Sequence, residues 1–166
     1  DTSLHLHIYQ QNLRVGRFDI DLHTAPDTRA SIAVSRGGGT IFATDGRTLV
    51  VVDSGGHVLK RKTMHYSIGQ LTCSPGGGML AVSDSQTGVI RLYHAETLQL
   101  THQKFAIDLM AQASQVQLIA DLPHTGTAVS QLIAYNRGIL AFAMSGVVCV
   151  SHVSDMDELP RQSVLL

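Results

Sequence analysis

The chain has no tryptophan, and aromatic residues make up only 5% of it. Single-stranded nucleic acid is held on aromatic stacking platforms, so that function is disfavoured from the start. Charge is also scarce: Asp, Glu, Lys and Arg together are 15% of the residues, below the ~25% of an ordinary soluble domain. The two signs nearly cancel, leaving a formal net charge of −1 and a pI near 6.8. A dedicated binder of nucleic acid or anionic membrane would carry a stronger electrostatic footprint. No apolar run reaches the ~18–20 residues that span a bilayer, and no basic n-region followed by an apolar stretch is visible. The two cysteines, Cys73 and Cys149, sit in strand-like text and read as small core residues, not as a disulfide framework. Asn-x-Ser/Thr acceptors are absent. These features together favour a reducing, intracellular setting, cytoplasmic or nuclear.

What the chain does have is apolar content and glycine punctuation. Hydrophobic residues are 44% of its 166 residues, enough for one domain with a core and too many for disorder. Leu4–Tyr9 and Leu13–Ile20 alternate apolar and polar residues around a polar turn, which predicts a strand hairpin. Ser31–Val34 and Ile41–Thr44 flank a glycine turn. Asp45-Gly46 is a strong hairpin signal. Thr48–Asp53 is β-branched, as a strand buried on both faces would be. His57–Met64 is more polar and reads as an outer strand. The same order then recurs: Gln70–Cys73, a turn at Pro75–Gly78, Met79–Ser83, a loop at Asp84–Gly88, Val89–His94, and a fourth strand from Leu98 to Lys104.

The recurrence is literal. Ser35-Arg36-Gly37-Gly38-Gly39-Thr40-Ile41-Phe42-Ala43 is answered by Ser74-Pro75-Gly76-Gly77-Gly78-Met79-Leu80-Ala81-Val82, 39 residues later. Units of roughly 40–45 residues with four strands each are the sequence mark of β-propeller blades. A weaker third copy runs from Asn136-Arg137-Gly138 through Ile139–Met144 to Val147–His152. Before it, Ala106–Gln115 reads as a short helix, Val116–Leu122 as a strand and Pro123–Thr127 as a loop. The Leu-Ile-Ala runs at 118–120 and 132–134 read as core.

Residues 74–95 resemble a WD40 repeat, whose pattern runs S-P-D-G, L-A-V, D, I-R-L-W-D. Ser74-Pro75-Gly76-Gly77, Leu80-Ala81-Val82, Asp84 and Ile90-Arg91-Leu92-Tyr93-His94 stand at those places. The preceding copy keeps only the aspartate of its last pair, in Val52-Asp53. The resemblance is clearest over residues 31–104. The missing tryptophan and the missing Gly-His pair depart from the pattern. The resemblance implies an all-β fold of WD40-like propeller blades. The expected division is a partial blade at 1–26, blades at about 28–65 and 66–104, an irregular blade at 105–154 and a peripheral tail at 155–166. Propellers close with four to eight blades, so the count predicts an incomplete propeller or a fragment of a larger one. A start at Asp1, a few residues ahead of a strand, points the same way.

Catalytic signatures are missing. His5 and His7 share one face of a strand, but no Cys-x2-Cys or His-Glu-x-x-His spacing accompanies them. They read as solvent-facing, and His94 and His152, which end equivalent strands, as a repeated structural position. Each glycine triplet leads into a strand, whereas a phosphate cradle leads into a helix. No nucleophile elbow occurs. Gly37, Gly39, Asp45, Gly46, Gly76, Gly78, Asp84 and Gly88 are therefore read as structural turns, with no catalytic, cofactor or metal residue assigned. Lys60-Arg61-Lys62 is the one basic cluster and the candidate interaction patch; on an outer strand it could equally blunt a sheet edge. The resemblance implies a non-enzymatic protein-interaction scaffold, part of a larger protein or complex. Its partners would be other proteins, among them a chain or segment that completes the propeller. A ligand-binding or enzymatic propeller and a nucleic-acid-associated scaffold are the alternatives.

Overall fold

Short alternating runs punctuated by serine, aspartate and glycine fold into four antiparallel sheets. The structure is a computed structural model that describes residues 2–10, 13–24, 29–111, 115–118, 129–136, 138–144, 147–152 and 157–158. The first sheet is a hairpin of β1 (Thr2–Gln10) and β2 (Leu13–Thr24). The second holds β3 (Ser31–Val34), β4 (Thr40–Thr44), β5 (Thr48–Asp53) and β6 (Val58–Thr63) in chain order. The third holds β7 (Ile68–Cys73), β8 (Met79–Asp84), β9 (Val89–His94) and β10 (Gln99–Phe105) in the same order. A short helix, α1 (Ala106–Ala111), leads to the fourth sheet. That sheet is built from β11 (Gln115–Leu118), β12 (Val129–Asn136), β13 (Ile139–Met144) and β14 (Val147–His152).

The 39-residue repeat is a repeat of atoms. Ser35 N–H donates to Thr40 O at 2.9 Å, and Thr40 N–H donates back to Ser35 Oγ at 2.9 Å. One unit on, Ser74 N–H donates to Met79 O at 2.9 Å and Met79 N–H to Ser74 Oγ at 3.1 Å. Inside each turn a glycine amide closes on the serine carbonyl, Gly38 to Ser35 at 2.9 Å and Gly77 to Ser74 at 2.8 Å. The strands behind them share a register, Val34 opposite Ile41 and Cys73 opposite Leu80.

Sheets stack face to face through three cores. Ile20 and Leu22 of β2 pack on Ile41, Ala43, Val50 and Val52 of the second sheet. The opposite face of that sheet, with Phe42, Leu49 and Val51, meets Leu71, Leu80, Val82 and Tyr93 of the third. The far face of the third, with Ala81, Ile90 and Leu92, meets Leu132, Leu140 and Phe142 of the fourth, and Leu109 of α1 joins them. β4, β5, β8 and β9 thus split their side chains between two interfaces, as a period of two requires. Burying side chains such as Phe42 and Leu80, both 0% exposed, contributes about 1.5–3 kcal/mol each. β3, β7 and β12 lie side by side with β7 in the middle, which makes them the inner edge of an arc of sheets.

Several expectations are refined. Leu49–Val52, the interior of Thr48–Asp53, is buried, and β6 is exposed along its length. The helix is shorter than Ala106–Gln115, because Gln115 already belongs to β11. β11 ends at Leu118, and residues 119–128 lie outside those described. The fourth sheet has the order β11-β14-β13-β12: its outer strand precedes its three inner strands in the chain. Of Leu132-Ile133-Ala134, only Leu132 is core; Ile133 is on the other side of the pleat and 45% exposed. The tail contributes β15 (Asp157–Glu158), which adds to the outer edge of β10.

Candidate interaction surfaces

Turns gather at two ends of the arc. One end carries the turns after β3, β5, β7 and β9, and the other those after β4, β6 and β8 together with the entry to α1. The first end is tied between sheets by Arg36 N–H donating to Pro75 O at 2.8 Å. The second is tied between sheets by Ile68 N–H donating to Gly46 O at 2.7 Å, while Ser85 N–H donates to Ser67 O at 2.8 Å beside the β7–β8 pair.

Aspartates lock these turns locally. Asp45 Oδ1 accepts from the amides of Arg47 at 2.9 Å and Thr48 at 2.7 Å. Asp84 Oδ1 does the same for Gln86 at 2.9 Å and Thr87 at 3.2 Å. Such short carboxylate-to-backbone bonds replace the turn's missing ladder bonds. At the first end, Asp53 Oδ1 accepts from Gly55 at 2.8 Å and His57 at 2.9 Å, and its Oδ2 meets His57 Nδ1 at 3.0 Å. The His57 amide and ring hold this exposed carboxyl below its ordinary range.

Gly37, Gly46 and Gly88 adopt positive φ, as turn glycines can. Within the second triplet the residue that needs to be glycine is the middle one, Gly77, at φ +73° with the Ser35 Cβ 3.0 Å from where its own Cβ would stand. Gly76 and Gly78 face open space.

Behind the second end lies a polar cluster that sequence reading missed. Tyr66 and Tyr93 share a hydroxyl hydrogen bond of 2.8 Å. The Arg91 guanidinium lies 3.9 Å from the Tyr66 ring centroid and reaches Asp84 Oδ2 at 3.3 Å. Burial raises the Asp84 carboxyl, but the Gln86 and Thr87 amides, the Thr87 hydroxyl and Arg91 outweigh it and hold it below the ordinary value. Burial pushes the Tyr66 phenol well up and raises that of Tyr93, so both stay neutral at physiological pH. These contacts clamp β8 and β9 to the β6–β7 connection. A signal existed: Arg91 interrupts an apolar strand where the preceding unit has Val50, opposite Ala43 as Arg91 is opposite Val82.

The three side chains of the basic run, all exposed on the outer strand β6, make different contacts. Strand alternation sends Arg61 toward the first hairpin, where its Nη2 donates to Ile20 O at 2.9 Å. Lys62 turns toward the third sheet, donating to Leu98 O at 2.8 Å with its ammonium 5.4 Å from the Tyr93 ring centroid. Lys60 instead lines a cleft of about 430 Å³ between the second and third sheets, together with Leu59, Gly76, Gly78, His94 and Glu96. Its floor is Val51 and Ala95, and Leu59 at its mouth is 57% exposed. An apolar floor with a few charged groups at the rim suits a short peptide stretch better than a metal or a phosphate. A smaller groove of about 230 Å³ sits where His5 of β1 meets Ile32 and Ala43.

His5 and His7 are both exposed on β1. Among the described residues, no group of three or more His, Cys, Asp or Glu side chains converges as metal ligands would. Burial raises both thiols, Cys73 and Cys149, away from the reactive thiolate. No described helix is long and apolar enough to cross a membrane.

No protein-family model and no curated protein matches the chain. Solved structures do. It is similar to a structure of U3-55K (TM-score 0.60, 15% identity) over 90% of this chain and 42% of that one. It is similar to the WD40 repeats of RRP9 (TM-score 0.61, 15% identity) over 90% of this chain and 41% of that one. It is also similar to Kuenenia stuttgartiensis hydrazine synthase (TM-score 0.57, 15% identity) over 84% of this chain and 37% of that one. The chain therefore spans about two-fifths of the length of the structures it matches. The fold is all-β and of the propeller type seen in those WD40 structures.

Proposed function

We propose that this chain is a non-enzymatic protein-interaction scaffold, an arc of WD40-type blades that works inside a larger protein or multi-subunit complex in an intracellular compartment. The observation that carries the reading is the pair of rims. Turns at both ends are fixed by serine and aspartate side chains on rigid stacked sheets, the arrangement in which loops serve as binding elements. The polar side chains that could do chemistry, Asp84, Arg91, Tyr66 and Tyr93, are spent on one another. Within the arc, the cleft at Leu59 and Lys60 is the place for a peptide: an apolar residue seated on Val51 and Ala95, and an acidic one against the ammonium.

The intact protein isolated under native conditions from its source should sediment as an assembly heavier than its own polypeptide. Leu59→Ala combined with Lys60→Glu should weaken one component of that assembly by 10-fold or more without changing the unfolding midpoint. Sedimentation at the mass of the single polypeptide at physiological salt contradicts the reading.

A further inference from the structure

The outer edges of the second and third sheets differ. On the third sheet the outer strand β10 has a neighbour: β15 pairs with it antiparallel, Asp157 opposite Gln103 and Glu158 opposite His102. There Leu100–Lys104 is half-buried. On the second sheet the equivalent strand β6 ends the order β3-β4-β5-β6, with no strand beyond it among the described residues. All six of its residues are exposed. Two of them are large and apolar, Val58 at 45% and Leu59 at 57% exposure. An edge strand that carries apolar side chains is a template for a further strand.

Charge selects which strand that edge accepts. Lys60, Arg61 and Lys62 are successive, so each face of the edge carries a cation. Arg61 lies on the side of the first hairpin, at Ile20 O, and Lys62 on the side of the third sheet, at Leu98 O. Lys60 is in the cleft with Leu59. A second copy is a poor occupant. Antiparallel pairing of two β6 strands about their centre would set the basic run against itself, and like charges facing one another across a strand pair are destabilising. The same cations favour a strand that carries Asp and Glu. This chain holds the precedent, since the residues that extend β10 are Asp157 and Glu158. A bulge sets the reach: Lys60 is opposite Val51 and Val58 opposite Val52, so Leu59 has no counterpart on β5. Regular pairing is left to Lys60–Thr63, with Leu59 beside it at the mouth of the cleft.

We infer that the outer edge of β6 takes up an acidic extended segment of another protein as a fifth, antiparallel strand of this four-stranded sheet. Backbone hydrogen bonds along Lys60–Thr63 hold it. Its carboxylates meet Lys60, Arg61 and Lys62, and an apolar residue next to them covers Leu59. The acidic strand of this chain is already committed to β10. The inference deepens the scaffold reading and rests on it for the partner: the cleft alone would seat side chains, whereas the edge also grips the partner's backbone.

The test measures hydrogen exchange at the β6 amides not bonded to β5, in the intact natural polypeptide, alone and with three synthetic peptides. The acidic probe is acetyl-Leu-Glu-Leu-Asp-Leu-Glu-amide. The second peptide has Lys at the acidic places. The third is the acidic probe N-methylated throughout, which keeps its side chains and removes its donors. The acidic probe should slow exchange of those amides by about 10-fold or more and bind more weakly as salt rises. The other two should bind about 10-fold or more weakly. No slowing by the acidic probe overturns the inference. So does protection in the polypeptide alone, whether from its own chain or from a second copy at raised concentration. Equal binding of the Lys peptide overturns the charge selection. Equal binding of the N-methylated peptide overturns the added strand and leaves the cleft as the peptide site. The scaffold reading fails separately: a polypeptide that sediments alone but binds the acidic probe along β6 contradicts the assembly and supports the edge.

Discussion

At the scale of single residues, the fold depends on small side chains that satisfy backbone groups, and these were the legible part of the sequence. Ser35, Ser74, Asp45 and Asp84 bond amides within five residues of themselves, so their roles follow from local spacing alone. Asp84 does more, because it also holds Arg91. Asp84→Ala should destabilise the protein by about 3 kcal/mol, since it orphans a nearly buried guanidinium and two turn amides. Asp84→Asn, which can still accept from the amides, should lose about half of that; chemical denaturation at pH 7 measures both. The pH dependence has a definite sign. The Asp84 carboxyl is held below its unfolded value, so its contribution is complete above about pH 4 and disappears as pH falls through the lower folded value. Wild type and Asp84→Asn should therefore converge in stability in acid. Gly77→Ala should cost about 1–3 kcal/mol, through its positive φ and the close Ser35 Cβ. Gly76→Ala, facing open space at ordinary φ, should cost less than about 0.5 kcal/mol.

Elements were readable wherever hydrophobic period and turn chemistry agreed. β3 and β5 were legible to the residue, and β6 to within one residue at each end, because glycine, serine and aspartate turns separate them. Two things escaped. The outer place of β11 depends on pairing Gln115 with Val150 and Leu118 with Val147, a long-range contact that no local pattern encodes. The contacts of the basic run were the second: Arg61 reaches Ile20 on one side of β6 and Lys62 reaches Leu98 on the other, while Lys60, Arg61 and Lys62 all stay exposed on that outer strand. The sheets stack through large side chains, and this predicts strong coupling across the stack. Phe42→Ala should cost about 3–5 kcal/mol, and Leu80→Ala about 2–5 kcal/mol. Both residues belong to one core, so the double variant should depart from additivity by at least about 0.5 kcal/mol. Equilibrium denaturation of the four proteins of that cycle reads the coupling.

At the scale of the molecule, three cores join four sheets in chain order, with β3, β7 and β12 along one inner edge. The repeat of 39 residues made this architecture legible, because each unit buries one face on its predecessor and the other on its successor. How far the arc extends was not legible, since closure is decided by surfaces at its ends. Those ends carry the exposed apolar residues of the inner strands, Ile32 and Val34 at one and Ile133 at the other. The account holds that these residues are interior positions of a ring. A density map of the intact native protein tests that most directly. It should show β3, β7 and β12 around a central axis, with further blades packed on Ile32 and Val34 and beyond Ile133. A map in which those three residues face solvent, or in which the sheets pair as a sandwich, would contradict it.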